Sequence, residues 1–166
     1  MTVASKPASA ATPAVRVLNL AGIDYSLHSF DHDPATRRYG SEAADKLGVG
    51  SDQVFKTLMI QVDGSPVTAL VPVSGQLDLK ALASARGAKK AQLAGVAETE
   101  RRTGYPVGGV SPFGQRHAVP VVIDRTALEH ASVFVSAGRR GLEIEIRPED
   151  LVMLTNAQVA KIAALD

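Results

Sequence analysis

Val54-Phe55-Lys56-Thr57-Leu58-Met59-Ile60-Gln61-Val62 is the clearest strand signature in the chain, and it is followed by Asp63-Gly64 and then Val67-Thr68-Ala69-Leu70-Val71-Pro72-Val73. Two apolar, β-branched runs separated by an Asp-Gly turn signal read as a β-hairpin. Side chains alternate along a strand, so Lys56 shares a face with Val54, Leu58, Ile60 and Val62, while Phe55, Thr57, Met59 and Gln61 take the other. A lysine in an apolar row lies near a strand end, snorkels to water, or points into a pocket. Pointing inward, it can hold a phosphate or a carbonyl oxygen as a point charge. It can act as a base only if burial lowers its pKa well below the usual value of about 10.4.

Outward from the hairpin, elements of both kinds recur. Thr12 can cap a helix that has Pro13 at its first position, Ala14, Val15, Leu18 and Ala21 at helical spacing, and Gly22 as its stop. Tyr25–Phe30 alternates as a strand, and Asp31–Gly40 is a loop. Ser41 is placed to cap a short helix, Glu42–Leu47, that ends at Gly48. Asp78 opens a helix that runs to Ala85. Ala88–Leu93 predicts a short strand and Val96–Arg102 a short helix or helical turn. Strands are predicted at Val119–Ile123, Ser132–Val135 and Leu142–Ile146, and helices at Pro148–Leu154 and Ala157–Ala164. Regular strand–helix–strand alternation is missing. The pattern predicts one α/β domain with a mixed, strongly curved sheet rather than a doubly wound parallel one.

The chain has 166 residues, 45% apolar and 21% charged, which suits one globular domain with a real core. No run of about 18 apolar residues predicts a membrane helix. Met1–Pro13 is rich in Ala, Ser, Thr and Pro without a long apolar centre; it reads as a disordered tail (residues 1–12) before a domain spanning 13–166, not as a secretory signal. There is no cysteine. That excludes a disulfide framework, thiolate metal sites and cysteine-nucleophile catalysis, so any thiol chemistry uses a thiol carried by the substrate. The net charge is only +1. Basic residues nevertheless recur in pairs at Arg37-Arg38, Lys89-Lys90, Arg101-Arg102 and Arg139-Arg140, which are either solvated surface charge or local patches for phosphates.

Two further segments can carry chemistry. Gly104–Gly114 contains four glycines and two prolines, a composition that brings backbone close to a ligand and holds the loop's shape. It either presents peptide N–H groups to an ester or ribose-phosphate, or is a rigid surface loop. It lacks the Gly-Lys-Ser/Thr of a nucleotide-binding loop. Ser136-Ala137-Gly138-Arg139-Arg140-Gly141 joins two strands and offers a hydroxyl and a turn N–H, or is an ordinary hairpin connection. No Ser–His–acid arrangement is evident. Beyond it, Leu142, Ile144 and Ile146 face one way and Glu143 and Glu145 the other. Glu143 is placed to orient Lys56 or bind an amino group, with a solvated edge as the default. His28, His32, His117 and His130 lack metal-ligand spacing, so no metal is expected.

These features occur in order with Thr12-Pro13-Ala14-Val15, His28-Ser29-Phe30-Asp31-His32-Asp33-Pro34, Lys46-Leu47-Gly48, Asp52–Leu58, Gly75–Lys80, Gly87–Lys90, Thr103-Gly104-Tyr105, Val107–Pro112 and Val135-Ser136 with Gly138–Leu142. The set resembles the YbaK/EbsC family, free-standing relatives of the editing domain inserted in bacterial prolyl-tRNA synthetases. The resemblance implies a curved, barrel-like α/β fold and removal of cysteine from Cys-tRNA(Pro) in the cytoplasm. It implies no cofactor, a transient complex with prolyl-tRNA synthetase and aminoacylated tRNA, no membrane, and a monomer or weak oligomer. Cysteine and proline are similar in size, so a synthetase pocket separates them weakly. The implied mechanism has the substrate's thiol attack its own ester carbonyl and leave as a thiolactone. By the same resemblance, Lys56, Gly108, Gly109, Ser136 and Gly138 form the catalytic set, with Lys56 on the terminal adenosine or its phosphate and the glycine backbones on the ester and ribose. Phe30, Tyr39, Thr57, Ser111, Pro112 and Glu143 bind substrate. The chain departs from the family pattern where Phe30 replaces Tyr, Tyr39 replaces Phe and Glu143 replaces Asp. Ala-tRNA(Pro) editors share the fold and the lysine. An editor of that kind and a non-catalytic tRNA- or synthetase-binding module are the rival readings.

Overall fold

A computed structural model of the chain describes residues 11–165; the expected tail, apart from Ala11 and Thr12, lies outside the described residues. In chain order the elements are α1 (Pro13–Ala21), β1 (Ser26–Ser29), α2 (Tyr39–Leu47), β2 (Phe55–Val62), β3 (Ser65–Pro72), β4 (Gly75–Leu77), α3 (Leu79–Ala85), β5 (Ala91–Leu93), α4 (Val96–Thr103), β6 (Val121–Asp124), β7 (Val133–Arg139), β8 (Leu142–Ile146), α5 (Pro148–Thr155), β9 (Gln158–Ala160) and β10 (Ala163–Leu165). A 3-10 turn, Arg125–Glu129, follows β6.

The central hairpin forms as expected. β2 and β3 pair antiparallel from Phe55 opposite Pro72 to Val62 opposite Ser65. Asp63 and Gly64 both take positive φ, as a tight two-residue hairpin turn requires. β3 then pairs parallel with β6, and β6 parallel with β9, giving a mixed five-stranded sheet in the order β5-β2-β3-β6-β9. A separate three-stranded sheet, β1-β8-β7, is antiparallel, and β10 pairs with β4. The architecture is mixed α/β, with its strands in three sheets rather than one closed barrel.

Both ends of α1 match the sequence signals. Thr12 Oγ1 accepts from the Val15 N–H at 3.2 Å, and Gly22 closes the helix in the left-handed region. The Thr12 hydroxyl also donates to the Ala137 carbonyl at 2.5 Å, which fastens α1 to β7. Ser41 does not cap α2. That helix begins two residues earlier, at Tyr39, without a side-chain cap. The expected C-terminal helix over Ala157–Ala164 is absent. Asn156 turns into the left-handed region after α5, and the chain continues as β9 and β10. The reason is tertiary. β9 completes the edge of β6, and buried Asp124 takes the backbone N–H groups that follow: Oδ1 accepts from Ile162 at 2.9 Å and from Ala163 at 2.8 Å. Its Oδ2 accepts from the Thr126 N–H at 3.1 Å and hydroxyl at 2.6 Å. An Ala-rich segment with a weak intrinsic preference yields to backbone partners already in place.

Two features of this frame create a site. First, β5 pairs only with Ile60–Val62, and Val54 bridges to Phe134 in β7, so Lys56–Leu58 have a strand neighbour on one edge alone among the described residues. The Val54 carbonyl faces β3, where it accepts from Val73, and the Met59 carbonyl faces away, where it accepts from Ala94. Alternation therefore turns the Thr57 peptide groups toward the open side. Second, the β1-β8-β7 sheet has two unlike faces. Leu27, Ile144, Val133 and Val135 enter the largest apolar cluster with α1 and α5. His28, Glu143, Glu145, Phe134 and Ser136 occupy the opposite face, toward β2.

Replacing Asp124 by Ala leaves two buried N–H groups without acceptors. The expected cost is about 3 kcal/mol of unfolding free energy, read by urea titration. A loss under about 1 kcal/mol would mean that the β9–β10 segment is held by other contacts.

Candidate active site

The open edge of β2, the start of α2, the glycine-rich loop and the polar face of β7–β8 enclose a cleft of about 540 Å³. That volume suits a small ligand group. Of the expected site residues, Lys56, Thr57, Tyr39, Gly108, Ser136 and Glu143 line it. Gly109, Gly138, Phe30, Ser111 and Pro112 do not reach the lining, but several of them shape it. Ser111 is buried, with its hydroxyl accepting from the Phe113 N–H at 3.3 Å, so it stiffens the loop from behind. Phe30 packs beneath α2, with the Lys46 ammonium 5.9 Å from its ring centre. A second depression of about 450 Å³, beside Ser65 and Arg86, holds none of the expected residues.

The glycine-rich loop is placed by contacts that leave no room for side chains. Gly108 has φ +89°, and a Cβ there would stand 2.6 Å from the Tyr39 ring. A Cβ on Gly109 would strike the Arg139 backbone at 2.6 Å. Gly138 lies against the Tyr105 ring, whose hydroxyl donates to the Phe113 carbonyl at 2.6 Å. Burial pushes that phenol up to about 12, so it remains a donor throughout the physiological range. Arg140 closes the arrangement: its guanidinium lies 4.8 Å from the Tyr39 ring centre, and its Nε donates to the Val107 carbonyl at 2.9 Å. The loop, the β7–β8 turn and α2 thus form one wall.

A polar knot anchors that wall to β1. The buried Glu42 carboxylate accepts from His32 Nδ1 at 2.7 Å, from the Asp33 N–H at 2.7 Å and from Lys46 at 3.2 Å. Lys46 also donates to the Asp31 carbonyl. Burial alone would raise the Glu42 pKa; the three donors outweigh it and hold the carboxyl at about 2. Nothing in the spacing of Asp31–Gly40 signalled this knot, because it joins a loop to one turn of the next helix.

Inside the cleft the polar side chains include Tyr39, Ser41, Lys56, Thr57, Thr99, Ser136 and Glu143. Thr57 Oγ1 is buried without a partner among the described residues. Ser136 Oγ accepts from the Gly138 N–H at 3.2 Å. Directly opposite Ser136 stands Glu143. It is 7% exposed, not the solvated edge that was the default expectation, and burial raises its carboxyl to about 8. No histidine lines the cleft. His28 is held by Glu145 at 2.9 Å and His32 by Glu42, so neither stands ready to activate Ser136. The rim carries Arg37 and Arg38 on one side, with Leu93 and Val96 exposed near α4. The basic pair was legible as a motif, but its place beside the cleft was not. Among the described residues, no group of three or more His, Cys, Asp or Glu side chains is placed to hold a metal ion.

The family model of the aminoacyl-tRNA editing domain matches residues 33–154, which include every lining residue of this cleft; the chain belongs to that family. It is 35% identical over 164 residues to a protein of Enterococcus faecalis named "Putative Cys-tRNA(Pro)/Cys-tRNA(Cys) deacylase EbsC", covering 96% of this chain and 97% of that one. It is 40% identical over 88 residues to a proline–tRNA ligase of Nitratidesulfovibrio vulgaris, which is 53% of this chain and 15% of the ligase. Among solved structures, one described as "a putative trans-editing enzyme for prolyl tRNA synthetase" superposes with a TM-score of 0.80 at 26% identity, over 92% of this chain and 98% of the other.

Two outcomes test the wall. Gly108→Ala forces a Cβ into the Tyr39 ring at a φ that side chains rarely adopt; deacylase activity is expected to fall at least about tenfold while the fold survives, as read by kinetics beside circular dichroism. The Glu42 carboxyl titrates lower in the folded state than its ordinary value of 4.5. Its contribution to stability is therefore complete above that value and lost as pH falls toward 2. Protection of the Asp33 amide against hydrogen exchange, taken relative to its intrinsic rate at each pH, is expected to fall over this acid range, and Glu42→Gln to remove that pH dependence.

Proposed function

We propose that this protein is a trans-editing deacylase that removes cysteine from Cys-tRNA(Pro), using the substrate's own thiol as nucleophile. The near full-length likeness to the Enterococcus faecalis protein supports the substrate class. The observation that carries the mechanism is the composition of the cleft. It holds an ammonium group, peptide N–H groups, the hydroxyls of Tyr39, Ser41, Thr57, Thr99 and Ser136 and the Glu143 carboxyl, but no histidine beside Ser136 to make it a nucleophile.

In this reading the acyl group enters between the open edge of β2 and the β7–β8 floor. Lys56, half-buried at the start of β2, holds the terminal adenosine or its phosphate as a point charge. The backbone at Gly108 contacts the ester and donates to the developing oxyanion, while Gly109 and Gly138 hold the loop and turn in place. The cysteine sulfur forms a bond to its own carbonyl carbon and the carbon–oxygen bond to the ribose breaks. The thiol proton ends on the ribose hydroxyl, releasing a thiolactone and intact tRNA. Confinement supplies the attack geometry, so the protein adds position and charge rather than a nucleophile. The protein works in the cytoplasm as a monomer or weak oligomer on aminoacylated tRNA, in a transient complex with prolyl-tRNA synthetase. Phe30 and the buried Ser111 and Pro112 support the binding wall, and Tyr39 and Thr57 meet the acyl group.

Lys56→Ala is expected to lower single-turnover deacylation of Cys-tRNA(Pro) by about 10²-fold or more with the fold intact. Unchanged turnover would remove the proposed site. Ser-tRNA(Pro), prepared on the same tRNA, is expected to react at least about tenfold more slowly, since a hydroxyl is a far weaker nucleophile than a thiol. Equal rates would point to attack by water. Measuring Ala-tRNA(Pro) in parallel separates this activity from an alanine editor.

A further inference from the structure

Glu143 and Glu145 project from the same face of β8, two residues apart, yet their surroundings differ completely. Glu145 is saturated: it accepts from His28 Nε2 at 2.9 Å and from the Ser132 hydroxyl at 2.5 Å. For Glu143, burial is the only influence on the carboxyl, with no hydrogen-bonding or charged partner among the described residues contributing. It is 93% buried, lines the cleft, and stands in register with Ser136 on one side and His28 on the other. A carboxyl placed in an apolar cleft without a partner is costly unless a ligand completes it. The nearby Thr57 Oγ1 is also buried without a partner, so two polar groups on facing elements wait on the same space.

We propose that Glu143 is the receptor for the α-ammonium group of the aminoacyl ester, so that the cleft accepts acyl groups with a free amine and passes over those whose amine is blocked or missing. The identity of the ligand rests on the editing reading above. The chemistry of the receptor rests on the cleft. The groups around it leave the position to a ligand cation. On β1, His28 is committed to Glu145, and Arg140 is committed to Val107 and Tyr39. Tyr39 and Ser136 are neutral donors and acceptors, and Arg37 and Arg38 are exposed at the rim. Burial pushes the carboxyl up to about 8, so that it is mostly protonated at neutral pH. An incoming ammonium replaces that proton, which passes to solvent, and the charge pair forms only when substrate is seated. A peptidyl- or N-acylated aminoacyl-tRNA brings no such cation and is spared.

The test compares Cys-tRNA(Pro) with 3-mercaptopropionyl-tRNA(Pro), which keeps the thiol and ester, lacks only the amine and adds no bulk. Rates are referred to the uncatalysed rates of the same esters. The wild-type protein is expected to favour the cysteinyl form by about 30-fold or more, as expected when a buried charge loses its partner. Glu143→Gln should collapse that preference to about threefold or less, and Glu143→Asp, which keeps a carboxylate, should retain most of it. A preference that survives in Glu143→Gln overturns the proposal, as does equal wild-type use of both esters. Failure to deacylate Cys-tRNA(Pro) at all is failure of the functional reading instead, and a second measurement still decides the receptor. The Glu143 carboxyl, followed by carbon NMR in the wild-type protein, should titrate more than about one unit lower when the cleft is saturated with L-cysteine methyl ester, and should not shift with methyl 3-mercaptopropionate. A midpoint unmoved at saturation overturns the proposal.

Discussion

The close approach of the glycine-rich loop to α2 and to the β7–β8 turn is the contact on which the cleft depends. Gly108 meets the face of Tyr39, and Gly109 meets the Arg139 backbone, with no space for even a methyl group at either place. Arg140 and Val107 close the same junction with a hydrogen bond. Peptide groups can be offered to an ester only if the loop that carries them is held at a fixed depth. Here that depth is set by steric contact rather than by flexible side chains. Tyr105 fixes the loop from behind, and the Glu42 knot fixes the start of α2. The wall is over-determined, as preorganised catalysis requires.

The floor follows from a different constraint. A three-stranded sheet has two faces, and here α1 and α5 bury one of them in the main core. The other face carries two carboxyl groups and a serine toward β2, which over Lys56–Leu58 pairs with β3 on one edge and has no strand on its other edge among the described residues, since β5 pairs only with Ile60–Val62. A gap between sheets, rather than an excavation within one, provides the volume.

Much of this was legible from residue pattern. The Asp-Gly hairpin, the Thr12-Pro13 helix start, the Gly22 and Gly48 stops, the Asp78 cap and the Leu142–Ile146 strand appear in the structure where local chemistry put them. Alternation also assigned Glu143 and Glu145 to one face correctly. It could not assign their burial, because period two says which residues share a side and not what covers it. The misreading of Ala157–Ala164 as a helix has the same origin: the Asp124 carboxylate, which accepts from the Ile162 and Ala163 N–H groups, and the backbone edge of β6 come from a region more than thirty residues earlier. For the cleft, Lys56 and the two glycine segments were singled out as chemistry-bearing, but their meeting is a property of the topology. The Glu42 knot and the Arg140–Tyr39 contact join residues with no shared motif, and no local signal announced them.

The bare edge of β2 has a further consequence. An unpaired run of apolar strand normally invites another chain to add itself, and sheet proteins blunt such edges with charge, bends or covering segments. In this molecule the exposed stretch is recessed between α4, the glycine-rich loop and the β7–β8 floor. Those segments stand beside the edge where an added strand would pair, so the lining of the cleft also blunts this edge.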